Sequence, residues 1–175
     1  MEVWDNEYPD SSEYTHFYTP YIELVEKGNI ISTLSTQMHE LFTLINSVPA
    51  ERAFYAYEMG KWTLKEVIGH MIETERVFSY RALAISRGEK QSLPGMDQNE
   101  YMVGNNYNKR TLSNLSNEFL AVRVATIHLL SNMTKDMINM SGEANSTKVT
   151  VRAIAHIIAG HEQHHVNIIK ERYLN

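Results

Sequence analysis

Near its end the chain reads His161-Glu162-Gln163-His164-His165, inside the apolar run Ile154, Ile157, Ile158, Ile168 and Ile169. At about 100° per residue, His161 and His165 fall in the middle of the sector those isoleucines define. Two imidazoles one helical turn apart on an apolar face need a polar partner. A divalent metal suits the i,i+4 spacing best, because both side chains then aim at one spot. The competing reading is a pair of core histidines, each satisfied by a carbonyl or carboxylate of a facing helix. His-Glu-x-x-His also matches the zincin protease pattern, with Glu162 as general base. Zincins take a third ligand downstream, and here Ile168 stands where metzincins have Gly and Glu171 where they have the third His. The protease reading is therefore set aside.

A third ligand should come from upstream. His70 is the best candidate, within a turn of Val67 and Met71 and at the edge of an apolar sector. A partly exposed interface histidine is the equal alternative on these grounds. His39 and His128 stand among polar positions and read as structural or solvent-facing. His156 points away from the Ile154/Ile158 face, His164 lies at its flank as a supporting group, and His16 gives no reading. Three neutral imidazoles bind Zn²⁺ or Ni²⁺ well and leave coordination positions open. An open position is what a hydrolase or a thiol transferase needs, because a water or thiol held there loses its proton more easily. Glu73, Glu75 and Glu162 are the carboxylates that could orient ligands or move protons, with Glu75 and Glu162 the candidate catalytic pair. Each also reads as an ordinary salt-bridged residue.

Helices must position these groups. Apolar residues recur at three and four through Ile31, Leu34, Met38, Leu41, Phe42 and Ile45, which predicts a helix over Ile30 to Val48, stopped by Pro49. Thr63 with Glu66 forms a capping box for a second helix, Leu64 to Arg87, closed by Gly88. A third is expected from Leu112 to Thr134 and a fourth from Val151 to Leu174. A short helix, Tyr21 to Lys27, follows Pro20. Residues 88–110 and Ser141 to Ser146 read as loops; the first is long enough to be functional or to carry a short helix. From it, Asp97 and Tyr101 could reach over the mouth of a bundle. The expected architecture is a single all-α domain over 1–175: an antiparallel four-helix bundle, an N-terminal arm over 1–19, and a long loop between the second and third helices.

Composition narrows the partners. The chain has 175 residues and a net charge of −5, with no cluster of Lys and Arg, so nucleic acid is not an expected partner. No apolar run is long enough to span a membrane, and Met1 to Asp5 carry no apolar signal region. There is no cysteine, which rules out disulfides, thiolate ligands and a cysteine nucleophile and suits the reducing cytoplasm. Aromatic residues of the arm and first helix suggest a homodimer.

Three stretches carry a family resemblance. Gly60-Lys61-Trp62-Thr63-Leu64-Lys65-Glu66-Val67-Ile68-Gly69-His70 resembles the entry into helix two of the DinB/YfiT-like metal-dependent enzymes. Leu93-Pro94-Gly95-Met96-Asp97-Gln98-Asn99-Glu100-Tyr101 is similar to the loop of one subgroup. Val151-Arg152-Ala153 with Ala159-Gly160-His161-Glu162-Gln163-His164-His165 resembles the family's last helix. The resemblance spans about Tyr18 to Leu174. It implies a four-helix bundle, often a homodimer, and a Zn²⁺ or Ni²⁺ ion held by one histidine of helix two and the pair of helix four. Carried over by position, those are His70, His161 and His165. Family activities include S-transfer with low-molecular-weight thiols such as bacillithiol or mycothiol, and a mycothiol-dependent isomerisation. The leading expectation is thus a thiol S-transferase acting on a small molecule. Metal-assisted hydrolysis is the enzymatic alternative, and a non-enzymatic stress-related helical module with a degenerate site is the other.

Overall fold

The structure, a computed structural model, describes residues 2–175; Met1, the first residue of the expected arm, lies outside them. The arm makes three short 3-10 turns, Glu2–Trp4, Ser11–Glu13 and His16–Tyr18, and runs into helix α1 (Thr19–Ile22). Four long helices follow: α2 (Ile30–Ser47), α3 (Leu64–Ser86), α5 (Leu112–Ser131) and α7 (Val151–Ile168). Helix α4 (Gln98–Val103) lies in the long loop, and α6 (Lys135–Asn139) follows α5. A hairpin of β1 (Ser141–Ala144) and β2 (Thr147–Thr150) leads into α7, which ends in a π turn, Ile169–Tyr173.

Local chemistry sets the boundaries. The Asn29 side chain accepts from the amides of Ile31 and Ser32 at 3.0 and 3.2 Å, opening α2. Thr63 and Glu66 close the expected box: Glu66 Oε2 accepts from the Thr63 amide at 2.8 Å, and Thr63 Oγ1 from the Glu66 amide at 3.3 Å. Gly88 ends α3 in the left-handed region, at φ +84°. Thr150 caps α7 by accepting from the Ala153 amide at 3.1 Å.

Helix α2 packs on α5 and α7, and α3 packs on the same two. Two apolar clusters result. One, around Ile22, Leu34, Phe78 and Ile154, lies beneath the arm and hairpin; the other gathers Leu41, Ile68, Phe119 and Tyr173. Each long helix passes from one cluster to the other. At the crossing each carries buried polar residues: Gln37 in α2, Thr74 and Glu75 in α3, Arg123 in α5, Glu162 in α7. A polar layer thus divides the interior, and the histidines lie beside it.

The arm's aromatics are used within the chain. Trp4 is buried and its indole N–H donates to the Leu130 carbonyl at 2.9 Å; the Tyr8 hydroxyl donates to the Ile22 carbonyl at 2.8 Å. Arg152 Nη2 and Nε hold the Glu13 carboxylate at 2.7 and 3.0 Å, tying the arm to α7. Phe17 remains exposed. No helix of the described residues is long and apolar enough to cross a membrane.

Several local expectations are corrected. Ser141 to Ser146 belongs to a hairpin, with Ser141 opposite Thr150 and a turn at Asn145-Ser146, both at positive φ (51° and 58°). Four-residue strands are too short to show an alternating pattern above a helical background. Helix α5 stops at Ser131, because Thr134 caps α6 instead of ending the same helix. Helix α1 is one turn long and ends at Ile22. The long loop is pinned to the hairpin: the Leu93 amide donates to the Glu143 carbonyl, and the Asn145 amide to the Leu93 carbonyl, both at 2.9 Å.

Helix α1 lies across α7 at Gly160. A Cβ there would stand 2.0 Å from the Tyr21 carbonyl oxygen. The Tyr21 ring in turn covers His161, with ring centroids 5.6 Å apart. Gly160→Ala is expected to lower the urea-unfolding free energy by about 1–3 kcal/mol, despite the roughly 1 kcal/mol that alanine gains in helix propensity. An unchanged midpoint would contradict the close approach.

Candidate metal centre

The capping box fixes where α3 begins, and so the turn from which His70 projects. The Thr150 cap does the same for α7, and the i,i+4 spacing puts His161 and His165 on one face of that helix. Packing of α3 against α7 brings the two sources together. His70 Nε2 and His165 Nε2 each lie 3.1 Å from His161 Nε2, and all three nitrogens lie within 4.8 Å of one another. No carboxylate oxygen of the described residues joins the cluster.

Burial determines the charge state. His70 is pushed down to about 4 and His165 to about 3 chiefly by desolvation, and His161 is held well below the ordinary imidazole range by the same cause. The three rings also repel one another when charged. All three are therefore neutral at pH 7, the form that binds metals. A neutral imidazole has one N–H and one lone pair, so three facing Nε2 atoms cannot satisfy each other. A cation at their common point would. Tetrahedral ligands about 2.0–2.1 Å from one ion stand roughly 3.3 Å apart, close to the 3.1 Å of the His70–His161 and His165–His161 pairs. The donor set fits Zn²⁺ or Ni²⁺.

Supporting groups fix the rings. Thr74 Oγ1 is 3.4 Å from His70 Nδ1, and the Trp62 ring packs on His70 with centroids 5.0 Å apart. With Nε2 aimed at the common point, Nδ1 carries the proton and donates to the threonine. His164 sits edge-on to His165 and Tyr21, at 5.1 and 5.2 Å.

Glu75 and Glu162, the expected catalytic pair, lie together on a buried arginine. Arg123 Nε and Nη2 donate to both oxygens of Glu75 at 2.8 and 2.7 Å, and Nη1 to the Leu34 carbonyl at 3.2 Å. Nη2 also stands 2.5 Å from Glu162 Oε2, an ion-pair contact not aligned as a hydrogen bond. Burial pushes the Glu162 carboxyl up to about 7 and Glu75 adds to this, while Arg123 opposes both. A hollow of about 10 Å³, the room of a single water, is lined by Glu75, Arg123, Glu162 and His161. Arg123 escaped the sequence reading, although a charge beside Val122 and one turn past Phe119 was the available signal.

On the other side of the triad a cleft of about 920 Å³ opens to solvent. His70 and His161 form part of its floor, Tyr18 and Tyr21 one wall, and Met96 and Asp97 of the long loop another. Asp97 thus borders the cleft, with Oδ1 accepting from the Asn99 amide at 2.8 Å; Tyr101 does not line it. Glu73 is engaged elsewhere, accepting from the Tyr107 hydroxyl at 2.5 Å. His39, His128 and His16 are exposed. His156 is buried with Nδ1 3.0 Å from the Arg152 carbonyl, away from the cluster.

The chain matches the DinB superfamily over residues 33–169 and belongs to that family. Its fold is similar to that of YfiT from Bacillus subtilis, described as "a probable metal-dependent hydrolase with an unusual four-helix bundle topology". The TM-score is 0.68 at 14% identity, over 93% of this chain and 89% of that one. No curated protein matches the chain.

Without metal, the folded histidines stay neutral down to about pH 4 while the unfolded ones protonate near 6.5. Unfolding then takes up protons, so their contribution to stability is complete above about 6.5 and is lost as pH falls toward 4. Glu162 acts oppositely between its ordinary 4.5 and about 7, where the folded state holds the extra proton. In urea midpoints of metal-free protein measured against pH, His165→Gln should flatten the acid limb and Glu162→Gln should steepen it. An acid limb unmoved by His165→Gln would contradict the neutral, desolvated triad.

Proposed function

We propose that this chain is a metal-dependent enzyme that transfers a low-molecular-weight thiol to a small electrophile, built on an antiparallel four-helix bundle of one domain. The observation that carries this reading is the convergence of three neutral imidazoles, two of which, His70 and His161, line an open cleft of about 920 Å³. His70, His161 and His165 would hold Zn²⁺ or Ni²⁺. Bound there, the cation supplies Lewis-acid chemistry, lowering the pKa of a thiol or water and polarising a substrate carbonyl.

The chain's own residues supply the rest. Thr74 and Trp62 orient the His70 ring, and Tyr21 covers His161. The cleft has room for a thiol and its acceptor together. Thiol transfer suits the site because a thiol, with a pKa of about 8.5, needs only modest activation and no strong base. The two candidate catalytic carboxylates line the inner hollow with Arg123 and not the cleft. We assign Glu75 to anchoring Arg123. Glu162 is the proton store of the site, at the back of His161.

Hydrolysis is the second reading. A near-neutral Glu162 favours it, as does the activity ascribed to YfiT. Water would then stand where the thiol does. The absence of cysteine suits a reducing cytoplasm for either chemistry, and the homodimer implied by the family resemblance remains part of this proposal.

Purified protein should carry stoichiometric Zn²⁺ or Ni²⁺ by elemental analysis. His161→Ala should lose the metal while its far-UV circular dichroism stays helical. Metal-loaded protein should conjugate a low-molecular-weight thiol to a chromogenic electrophile, and the variant should not. Ester cleavage without added thiol would favour hydrolysis. Loss of helicity on chelation would instead mark a structural metal and overturn the enzymatic reading.

A further inference from the structure

Arg81 is a buried cation in the wall of the cleft, 4% exposed, and it holds no carboxylate. Its Nη2 donates to the Pro94 carbonyl at 2.7 Å, its plane lies over Phe78 at 5.0 Å, and the guanidinium shares a further hydrogen bond with the Tyr18 hydroxyl. Nε is fully buried and finds no acceptor. Arg76, Arg110, Arg123 and Arg152 each pair with a glutamate; among the described residues no ion pair reaches Arg81. Asp97 and Glu100 border the same cleft without pairing with it. A buried guanidinium with an unpaired N–H is costly. Its fork matches a carboxylate, which takes two parallel N–H donors.

We propose that Arg81 is the anion-binding end of the cleft and takes a carboxylate carried by one of the reacting small molecules. Arg81 stands eleven positions after His70, three turns along the same stripe of α3 through Thr74 and Phe78. At about 1.5 Å per residue the two Cα atoms are roughly 16 Å apart along the axis. The ligand is therefore an extended molecule, with its reacting group at the histidines and its carboxylate at the far end. The loop wall at Pro94 holds the guanidinium in place, so the long loop contributes to selectivity. This inference rests on the reading of the cleft as the substrate site, and not on a bound metal.

The test uses octanoate, octanamide and 8-mercaptooctanoate as probes on the full chain. Calorimetry should show octanoate binding at least about tenfold tighter than octanamide, as a charge-assisted pair requires. Arg81→Gln should erase that preference, and Arg81→Lys, which keeps the charge and loses the fork, should retain only part of it. In the unaltered protein the Arg81 Nε–H resonance should shift with octanoate and not with octanamide, a readout that holds even if a variant fails to fold. Equal binding of the two probes, no binding of either, or an unmoved Arg81 resonance would overturn the proposal. The octanoate arm needs no metal, so its failure leaves the metal reading standing, and loss of metal binding leaves this arm intact. In zinc-loaded protein, tighter binding of 8-mercaptooctanoate than of octanoate would place the carboxylate on the thiol. Equal binding would place it on the electrophile.

Discussion

Three neutral imidazoles that face one another through Nε2 cannot all satisfy their hydrogen-bonding groups. Three imidazole nitrogens within 4.8 Å, with no carboxylate oxygen among them, leave lone pairs directed at a common point. That arrangement suits a divalent cation, and much of the surrounding structure fixes the three rings in place. The capping box at Thr63 and the cap at Thr150 set the phase of the two contributing helices. Gly160 lets α1 approach α7 so closely that Tyr21 covers His161. Trp62 and Thr74 fix the remaining ring. The same desolvation that makes the histidines poor bases makes them ready ligands.

The polar layer explains how such a site survives inside an apolar interior. The two hydrophobic clusters supply cohesion above and below it. Between them, Arg123 brings together Glu75 and Glu162 from two other helices, so two buried carboxyl groups share one guanidinium. Such an arrangement is weak evidence for stability, because desolvation offsets much of the attraction. It does fix how α3, α5 and α7 sit relative to one another, and hence where the histidines meet. One side of the triad faces this layer through a water-sized hollow, and the other faces the open cleft.

The long helices and the histidine cluster were legible because their signals are local and periodic. The three-and-four spacing marks α2, the Thr63/Glu66 box marks the start of α3, and His161 and His165 on an isoleucine stripe mark a site on α7. His70 was legible only as a candidate, since its partners stand on a helix far away in sequence. The hairpin and α6 were not, because four- and five-residue elements carry too little pattern to stand out. The Glu75–Arg123–Glu162 cluster showed only as charges at apolar positions; which charge meets which is decided by packing. Arg81 gave no sequence signal at all, because its meaning lies in the partner it lacks.

The most direct test is X-ray absorption at the metal edge of zinc-loaded protein. The spectrum should show three imidazole nitrogens at about 2.0–2.1 Å, with the multiple-scattering pattern of three rings and one further light-atom ligand. Losing one ring from that pattern in His70→Ala would tie the third ligand to α3. A spectrum with two or fewer imidazoles, or one unchanged in His70→Ala, would contradict the convergence on which the rest is built.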